Sequence, residues 1–271
     1  MFSLPRILAG LVLSALVGAL AYRRGSLSAG GWLGAIITGT LTFGLGGWPW
    51  GLTLAAFFIS SSALSHFRRA VKERIAGEKF EKGGRRDLGQ ALANGGAGAA
   101  LALAYALAGA PEALLAAFAG ALATVTADTW ATEVGVLSAH PPRLVTTLRT
   151  VPVGTSGGVT LAGTLASAAG ALFIGVIAVA LVAAERGAWL PWILPAAFVG
   201  GLAGSLADSL LGATVQAMYR SPAGETERRV ARDGTPHTLM RGWRWMNNDL
   251  VNFVSSLVGA GVALALFTLV G

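Results

Sequence analysis

The sequence predicts an all-α integral membrane protein with about eight transmembrane helices. Of its 271 residues, 54% are hydrophobic and only 12% are charged, about half the charge of a soluble domain. The apolar residues form runs of about twenty, the length that crosses a bilayer as a helix. The alternation of apolar and polar residues that marks the strands of a membrane barrel is missing.

We predict eight spans within a single transmembrane domain, 1–271. Their ranges are 4–22, 28–46, 48–66, 89–109, 113–136, 158–183, 191–218 and 249–270. The first is expected to be a retained helix, because Arg23 and Arg24 follow its apolar run, whereas a secretory signal peptide carries its charges before the run. The long connections are expected to be cytoplasmic loops at 67–88, 137–157 and 219–248.

The basic residues predict the orientation. With both termini outside, eighteen of the twenty Lys and Arg residues fall in inner loops, and only Arg6 and Arg186 lie outside. Loops rich in basic residues stay in the cytoplasm, so we expect a protein of the inner or cell membrane whose function lies on its cytoplasmic face. The net charge of +7 reflects this bias, and no nucleic-acid partner is expected. The sequence leaves the oligomeric state open.

Two of the predicted spans resemble each other. Residues 116–128 and 196–208 share eight identities in thirteen positions, including Phe118 with Phe198 and Asp128 with Asp208. Compositional bias would supply matching Ala and Gly, but would not readily place Phe and Asp in register. Both spans run from outside to inside, so the sequence predicts a parallel internal repeat.

Carboxylates inside these spans point to function. An ionised Asp in the hydrocarbon costs on the order of 3 kcal/mol even on lenient insertion scales, so Asp128 and Asp208 need a compensating role. The structural alternative is an ion pair with an arginine, or a protonated carboxyl bonded to backbone. Glu133 follows one turn after Asp128, near the inner surface, where an ordinary interfacial position is an equal alternative.

Other polar residues are expected at the same depth. Arg86, Gln90 and Asn94 share one helical face by their i, i+4, i+8 spacing. The last span opens with Asn248 and Asp249, followed by Asn252. Amides at a helix start are often caps, but Asn94 and Asn252 lie too deep for that explanation alone.

A glycine-rich turn enters the sixth predicted span. Gly154, Thr155, Ser156 and Gly157 precede the helix, and a turn of this composition presents free backbone N–H groups to an anion. The alternative is that Ser156 is a plain N-cap. The inner loops also supply guanidinium groups for phosphate oxygens, from Arg85, Arg86, Arg143, Arg149 and Arg241.

Carboxylates beside arginines indicate phosphoryl transfer, in which positioning and charge neutralisation provide most of the catalysis. Hard carboxylate oxygens suit Mg²⁺, and the expected ligands are Asp128, Glu133, Asp208 and Asp249. The residues expected to be catalytic are Asp128, Asp208, Arg86 and Asn94. Those expected at phosphate groups are Arg85, Arg143, Arg149, Gly154, Thr155, Ser156, Gly157, Arg241, Asn248 and Asn252. His66, His140 and His237 receive no role.

These motifs resemble those of one membrane family. Asn-Gly-Gly at 94–96, Ala-Asp-Thr-Trp-Ala-Thr-Glu-Val-Gly at 127–135, Gly-Thr-Ser-Gly-Gly-Val-Thr at 154–160, Ala-Asp-Ser-Leu-Leu-Gly-Ala at 207–213 and Asn-Asn-Asp at 247–249 are similar to the transmembrane-protein-19-like family. That family, long labelled a domain of unknown function, includes the phytyl-phosphate kinase of tocopherol biosynthesis. The resemblance covers essentially the whole chain.

The resemblance implies a kinase that converts a polyprenyl or phytyl monophosphate to the diphosphate with a nucleoside triphosphate. CTP is our expected donor, by analogy with other membrane lipid kinases. Two alternatives remain open. A transporter would also use intramembrane carboxylates and repeats, although here the charged residues crowd one face. A lipid-phosphate cytidylyltransferase or phosphatase would use the same metal and arginine groups.

Overall fold

The computed structural model of the protein describes residues 3–79, 84–222, 224–231 and 233–270. Lys82 and Arg232, two of the basic residues used for the orientation, lie outside these ranges. The described chain is mostly helical. Its helices are α1 (Leu4–Arg23), α2 (Ala29–Leu41), α3 (Trp48–His66), α4 (Arg69–Ala76), α5 (Leu88–Leu107), α6 (Glu112–Gly135), α7 (Leu161–Arg186), α8 (Ile193–Thr214) and α9 (Asn248–Val270).

Five of the described helices, α1, α6, α7, α8 and α9, are long and apolar enough to cross a membrane by length and composition. This confirms a helical protein with membrane-spanning segments. The three other predicted spans are also helical, at α2, α3 and α5. Helix α2 has only 13 residues and continues into a π-helical turn, Thr42–Gly46. Their crossing of the bilayer, and hence the total of eight, stays a prediction.

Two predicted helix ends are wrong. The sixth span was expected to start at 158, but Gly158–Val159 forms strand β2, paired with β1 (Arg143–Leu144), and α7 begins at Leu161. The seventh was expected to reach 218, but α8 ends at Thr214. The chain then enters a three-stranded sheet of β3 (Met218–Ser221), β4 (Gly224–Thr226) and β5 (Thr238–Arg241), with β3 in the centre.

Helix α6 is the centre of the bundle. It packs against α5, α7, α8 and α9, and every residue from Leu115 to Ala127 is buried. Small residues allow this close packing. A Cβ added to Gly120 would come 2.4 Å from the carbonyl oxygen of Gly259 on α9, and one added to Gly200 would come 2.6 Å from the same oxygen. These two glycines occupy matching positions in the predicted repeat. The repeat itself stays a prediction.

The long loops gather at one end of the bundle, which we call the loop face. There the hydroxyl of Thr226 donates to the carbonyl of Glu78 at 2.9 Å, and the guanidinium of Arg228 donates to the carbonyl of Gly77 at 3.1 Å. The segment after β4 is thereby attached to the segment after α4. Together these segments border the cavity described next.

Candidate functional site

A cavity of about 770 Å³ opens at the loop face, between the ends of the helices. Residues of α5, α6, α7, α8 and α9 line it, together with the segments around 77, 155 and 228. Its lining includes most of the polar residues singled out in the sequence: Arg86, Gln90, Asn94, Asp128, Glu133, Gly154, Thr155, Ser156, Gly157, Asp208, Asn248 and Asn252. Residues from five separate stretches of the chain therefore meet in one place.

Asp128 and Asp208 come together because α6 and α8 are in close contact one turn before them. A Cβ added to Gly204 on α8 would lie 2.2 Å from the hydroxyl of Thr124 on α6, so only glycine permits this approach. Both aspartates line the cavity, on two helices that are in close contact. Oδ2 of Asp208 is buried and has no hydrogen-bond partner in the described part of the chain.

Asp128 and Asp208 are candidate ligands for a divalent cation. Two like charges side by side in a buried position are unfavourable unless a cation or protons lie between them, and an orphaned buried oxygen needs a partner. Protein sites for Mg²⁺ commonly supply one or two carboxylates and leave the remaining positions to water and substrate phosphates. Asp128 and Asp208 fit such a site. Among the described residues, no group of three His, Asp or Glu side chains forms a ready-made metal cage.

Arg86 is held just before α5 by a backbone bridge to the α1–α2 turn. Its N–H donates to the carbonyl of Ser26 at 3.0 Å, and its carbonyl accepts from Ser28 at 2.9 Å. Its guanidinium donates to the hydroxyl of Ser62 at 2.9 Å and lies over the ring of Phe58, 5.6 Å from the ring centre. Burial lowers the pKa of Arg86, and the Glu133 carboxylate opposes this shift. Arginine stays charged even so.

Gln90 and Asn94 follow Arg86 along the cavity wall. Asp87 caps α5 by accepting from the Gln90 N–H, while the Gln90 side chain accepts from the Asp87 N–H, a complete capping box. Gln90 is thus largely occupied at the helix start. Asn94 lies one helical turn further along α5 and also lines the cavity.

Glu133 has two partners. Its carboxylate accepts from Lys72 on α4 and from the hydroxyl of Ser65 on α3, each at 2.5 Å. The side chains of Lys72 and Glu133 are 11% and 20% exposed, so this is a largely buried ion pair that joins α4 to α6. The pair satisfies Glu133 without a metal ion, which leaves Asp128 and Asp208 as the carboxylates suited to one.

The segment 154–157 lies across the end of α8. Gly157 has φ +79°, and a Cβ there would come 2.5 Å from the Cβ of Ala213, so this turn requires glycine. The backbone N–H groups of Ser156 and Gly157 donate to no acceptor within the described residues. Two such N–H groups at a cavity wall can bind an anion.

The helix following this segment does not start at Ser156. Thr160 is the N-cap of α7, and its hydroxyl accepts from the Gly163 N–H at 3.0 Å. Ser156 instead donates to the side chain of Gln216 at 2.7 Å. The alternative reading of Ser156 as an N-cap is therefore wrong, and its hydroxyl anchors the 154–157 turn to the segment after α8.

Two of the predicted phosphate ligands have other contacts. The guanidinium of Arg85 donates to the carbonyl of Leu27 at 3.2 Å and lies over the ring of Tyr22. Arg241 forms an ion pair with Glu225 and donates to the carbonyl of Gly212 at 2.6 Å. Neither residue lines the cavity. Both hold the loop face together.

Three further predicted residues also lie off the cavity. Arg143 donates to the carbonyl of Leu148 at 3.1 Å at an exposed position, and Arg149 is exposed. Asp249 lies in the first turn of α9, between the two asparagines that do line the cavity. None of Arg143, Arg149 and Asp249 lines the cavity.

The sequence did not single out Arg228 and Glu227, which line the cavity from the segment after β4. That segment lacks hydrophobic periodicity, and its charges resemble those of any solvated loop. Lys72 was counted only toward the orientation. Its partner Glu133 is 61 residues away, and no sequence spacing indicates such a pair.

Comparisons with known proteins agree with the membrane assignment. Residues 12–260 match the family described as integral membrane protein DUF92. The chain is 32% identical to Protein PGR of Arabidopsis thaliana, with 93% of each chain covered. It is 30% identical to an uncharacterized membrane protein of Methanocaldococcus jannaschii, covering 88% of this chain and 84% of that one.

A more distant relative is Protein VTE6, chloroplastic, of Arabidopsis thaliana. It is 28% identical to this chain over 88% of the chain and 64% of the relative's length. No solved structure is significantly similar.

Proposed function

We propose a phosphotransferase function for this chain, which belongs to the DUF92 family of integral membrane proteins. The expected membership in the transmembrane-protein-19-like family is confirmed. The proposed reaction transfers a phosphoryl group from a nucleoside triphosphate to a prenyl or phytyl monophosphate. One observation carries the proposal: Asp128, Asp208, Arg86 and the 154–157 turn line a single cavity among apolar helices.

Asp128 and Asp208 are the residues that would hold Mg²⁺. When bound, the ion would neutralise the negative charge of the nucleotide phosphates. The two aspartates are supplied by adjacent, closely packed helices. Their separation is therefore set by the packing of α6 on α8, and does not depend on mobile loops.

Arg86 and the amides of Ser156 and Gly157 would position the phosphate groups. Arg86 is held by Ser62 and the ring of Phe58, so its guanidinium is oriented before any ligand binds. Preorganised donors of this kind stabilise transition-state charge without reorganisation at the moment of reaction. Asn94, which also lines the cavity, would add a side-chain amide.

In the proposed step, an oxygen of the prenyl monophosphate attacks the terminal phosphorus of the nucleotide. A new O–P bond forms, and the bond to the leaving nucleoside diphosphate breaks. The attacking oxygen is already an anion, so no general base is needed. An alcohol would have to lose a proton during attack. No histidine of the described chain lines the cavity, and both aspartates would hold the cation.

The test uses purified protein in detergent with Mg²⁺ and radiolabelled CTP, ATP or GTP. Each nucleotide is supplied in turn with geranylgeranyl monophosphate, phytyl monophosphate, the matching free alcohols, and phosphatidate. We expect prenyl diphosphate from the monophosphates, at a rate far above any product from the alcohols, with CTP the best donor.

Faster turnover of the alcohol would overturn the proposal and indicate a prenol kinase. Transfer of a cytidylyl group would indicate a cytidylyltransferase, and release of inorganic phosphate without nucleotide would indicate a phosphatase. An absence of turnover combined with substrate uptake into proteoliposomes would favour the transporter.

A further inference from the structure

The cavity has an opening between α7 and α8, and Leu206 lies at the edge of this opening. Leu206 of α8 lines the cavity. It is also 52% exposed on the outside of the bundle. Leu206 shares its exposure with Val199 and Leu210 on the same stripe of α8, so it lies at the edge of the cavity next to the outer surface of the bundle.

The neighbouring residues delimit the opening. On its inner-bundle side, the hydroxyl of Ser167 on α7 donates to the hydroxyl of Ser205 on α8 at 3.1 Å, and both are buried. Beyond this bond toward the loop face, Thr164 of α7 and Ser209 of α8 both line the cavity, and Thr164 is exposed. The two helices therefore meet at Ser167 and Ser205, and beyond that contact both helices line the cavity.

The outer surface around the opening is apolar. Helix α8 presents Val199, Leu206 and Leu210 as an exposed stripe, and α7 presents Leu161 and Leu165 in the same way. Such stripes on long apolar helices face lipid chains, which are as apolar as leucine. Leu206 is eight residues from the end of α8, about 12 Å along the helix axis, so the opening lies well inside a helix that is long and apolar enough to cross a membrane.

We propose that this gap is a lateral opening through which the hydrocarbon tail of the lipid substrate leaves the polar cavity and extends into the bilayer. The proposal rests on the proposed function for the identity of the substrate. The phosphate lies with Arg86 and the aspartates, while the tail runs past Leu202 and Leu206 between α7 and α8. The tail need not be enclosed, so long tails are accepted without a tunnel of matching length.

Chain-length preference tests the opening. Leu206→Trp places a bulky ring in the gap, and Leu210→Trp is the matched control. Leu210 is 41% exposed on the same stripe, one turn away, and does not line the cavity. We expect L206W to lower the ratio of kcat/KM for a C20 over a C5 prenyl monophosphate by at least tenfold. L210W should leave that ratio within twofold of the unmodified protein. Equal ratios for L206W and L210W would overturn the proposal.

A second measurement does not require turnover. Geranylgeranyl monophosphate carrying a photoreactive diazirine near the middle of its tail is bound to the protein in lipid nanodiscs and irradiated. We expect crosslinked peptides from 161–168 and 199–210, with less labelling at excess unmodified lipid. Crosslinks confined to other helices, such as α5 and α9, would overturn the opening even if the protein is a kinase. Crosslinks at these positions without nucleotide-dependent product would support the opening and contradict the kinase.

Discussion

At the scale of single residues, the two aspartates indicate a function because a charged carboxylate among apolar helices costs free energy. Neither Asp128 nor Asp208 forms a salt bridge to Lys or Arg within the described residues, so the structural alternative of an arginine pair is not supported. The orphaned Oδ2 of Asp208 is consistent with a cation that completes the site.

We therefore expect Asp128→Asn and Asp208→Asn each to reduce turnover by at least a hundredfold while the protein stays folded. An amide is a poor ligand for Mg²⁺. Removing one carboxylate also relieves the repulsion between the two, so the midpoint of thermal unfolding without Mg²⁺ should stay the same or rise. Turnover and thermal unfolding in detergent, with and without Mg²⁺, measure both effects.

Asp233→Asn is the control for these variants, since Asp233 is an exposed carboxylate at the loop face that does not line the cavity. It should retain activity. A fall in the unfolding midpoint of several degrees for either cavity aspartate would instead indicate a structural role, because breaking a buried charge network destabilises by about 3–5 kcal/mol.

The sequence singled out Asp128 and Asp208, which line the cavity, but it did not indicate which of the loop arginines would line it. A charged residue inside an apolar run is conspicuous, whereas a loop arginine has the same sequence context whatever its guanidinium contacts. Arg85 and Arg86 are adjacent, yet one donates to the carbonyl of Leu27 and the other lines the cavity. The backbone hydrogen bonds of Arg86 to Ser26 and Ser28 decide which of the two arginine side chains faces the cavity. These bonds join residues that are distant in the sequence.

At the scale of elements, the 154–157 turn depends on one glycine. We expect Gly157→Ala to reduce activity by at least tenfold, because its Cβ would meet Ala213 at 2.5 Å and push the turn away from α8. A positive φ adds a backbone cost of about 1 kcal/mol for alanine. Activity under saturating nucleotide, together with the unfolding midpoint, measures the effect.

Gly187→Ala is the control that separates the steric clash with Ala213 from the backbone cost of a positive φ. Gly187 also has positive φ, +67°, but a Cβ there would meet nothing within 4 Å. It should share the backbone cost and lose little activity. Similar losses in both variants would show that general destabilisation, and not displacement of the anion-binding amides, explains the result.

Helix positions could be predicted from apolar runs. The predictions of helix ends failed where residues form paired strands, because amino-acid composition does not reveal that pairing. Residues 158–159 continue an apolar, small-residue pattern but pair with 143–144. The segment 218–241 forms three strands of three to four residues, which are too short for alternation to be recognised. Such pairing depends on residues distant in the sequence.

At the scale of the whole molecule, the loop face is expected to be cytoplasmic. The chain contains no cysteine, so single cysteines report accessibility without background. We expect Ile75→Cys, Val145→Cys and Val230→Cys to react with an impermeant maleimide only after the membrane is opened, because basic loops stay in the cytoplasm. Labelling of intact and permeabilised cells is the measurement.

Trp189→Cys is the control, since Trp189 is 73% exposed at the opposite end, between α7 and α8. It should be labelled in intact cells. Labelling of any loop-face position from outside would reverse the orientation and place the proposed site on the other side of the membrane.

The contact between Thr226 and Glu78 joins residues that are 148 positions apart. A ribosome adding about 5–20 residues per second makes the second of them roughly 7–30 seconds after the first. Lys72 is made before that interval begins, Asp128 and Glu133 are made within its first half, and Asp208 is made only near its end. The cavity, which residues on both sides of this contact line, can therefore be completed only after most of the chain has been synthesised.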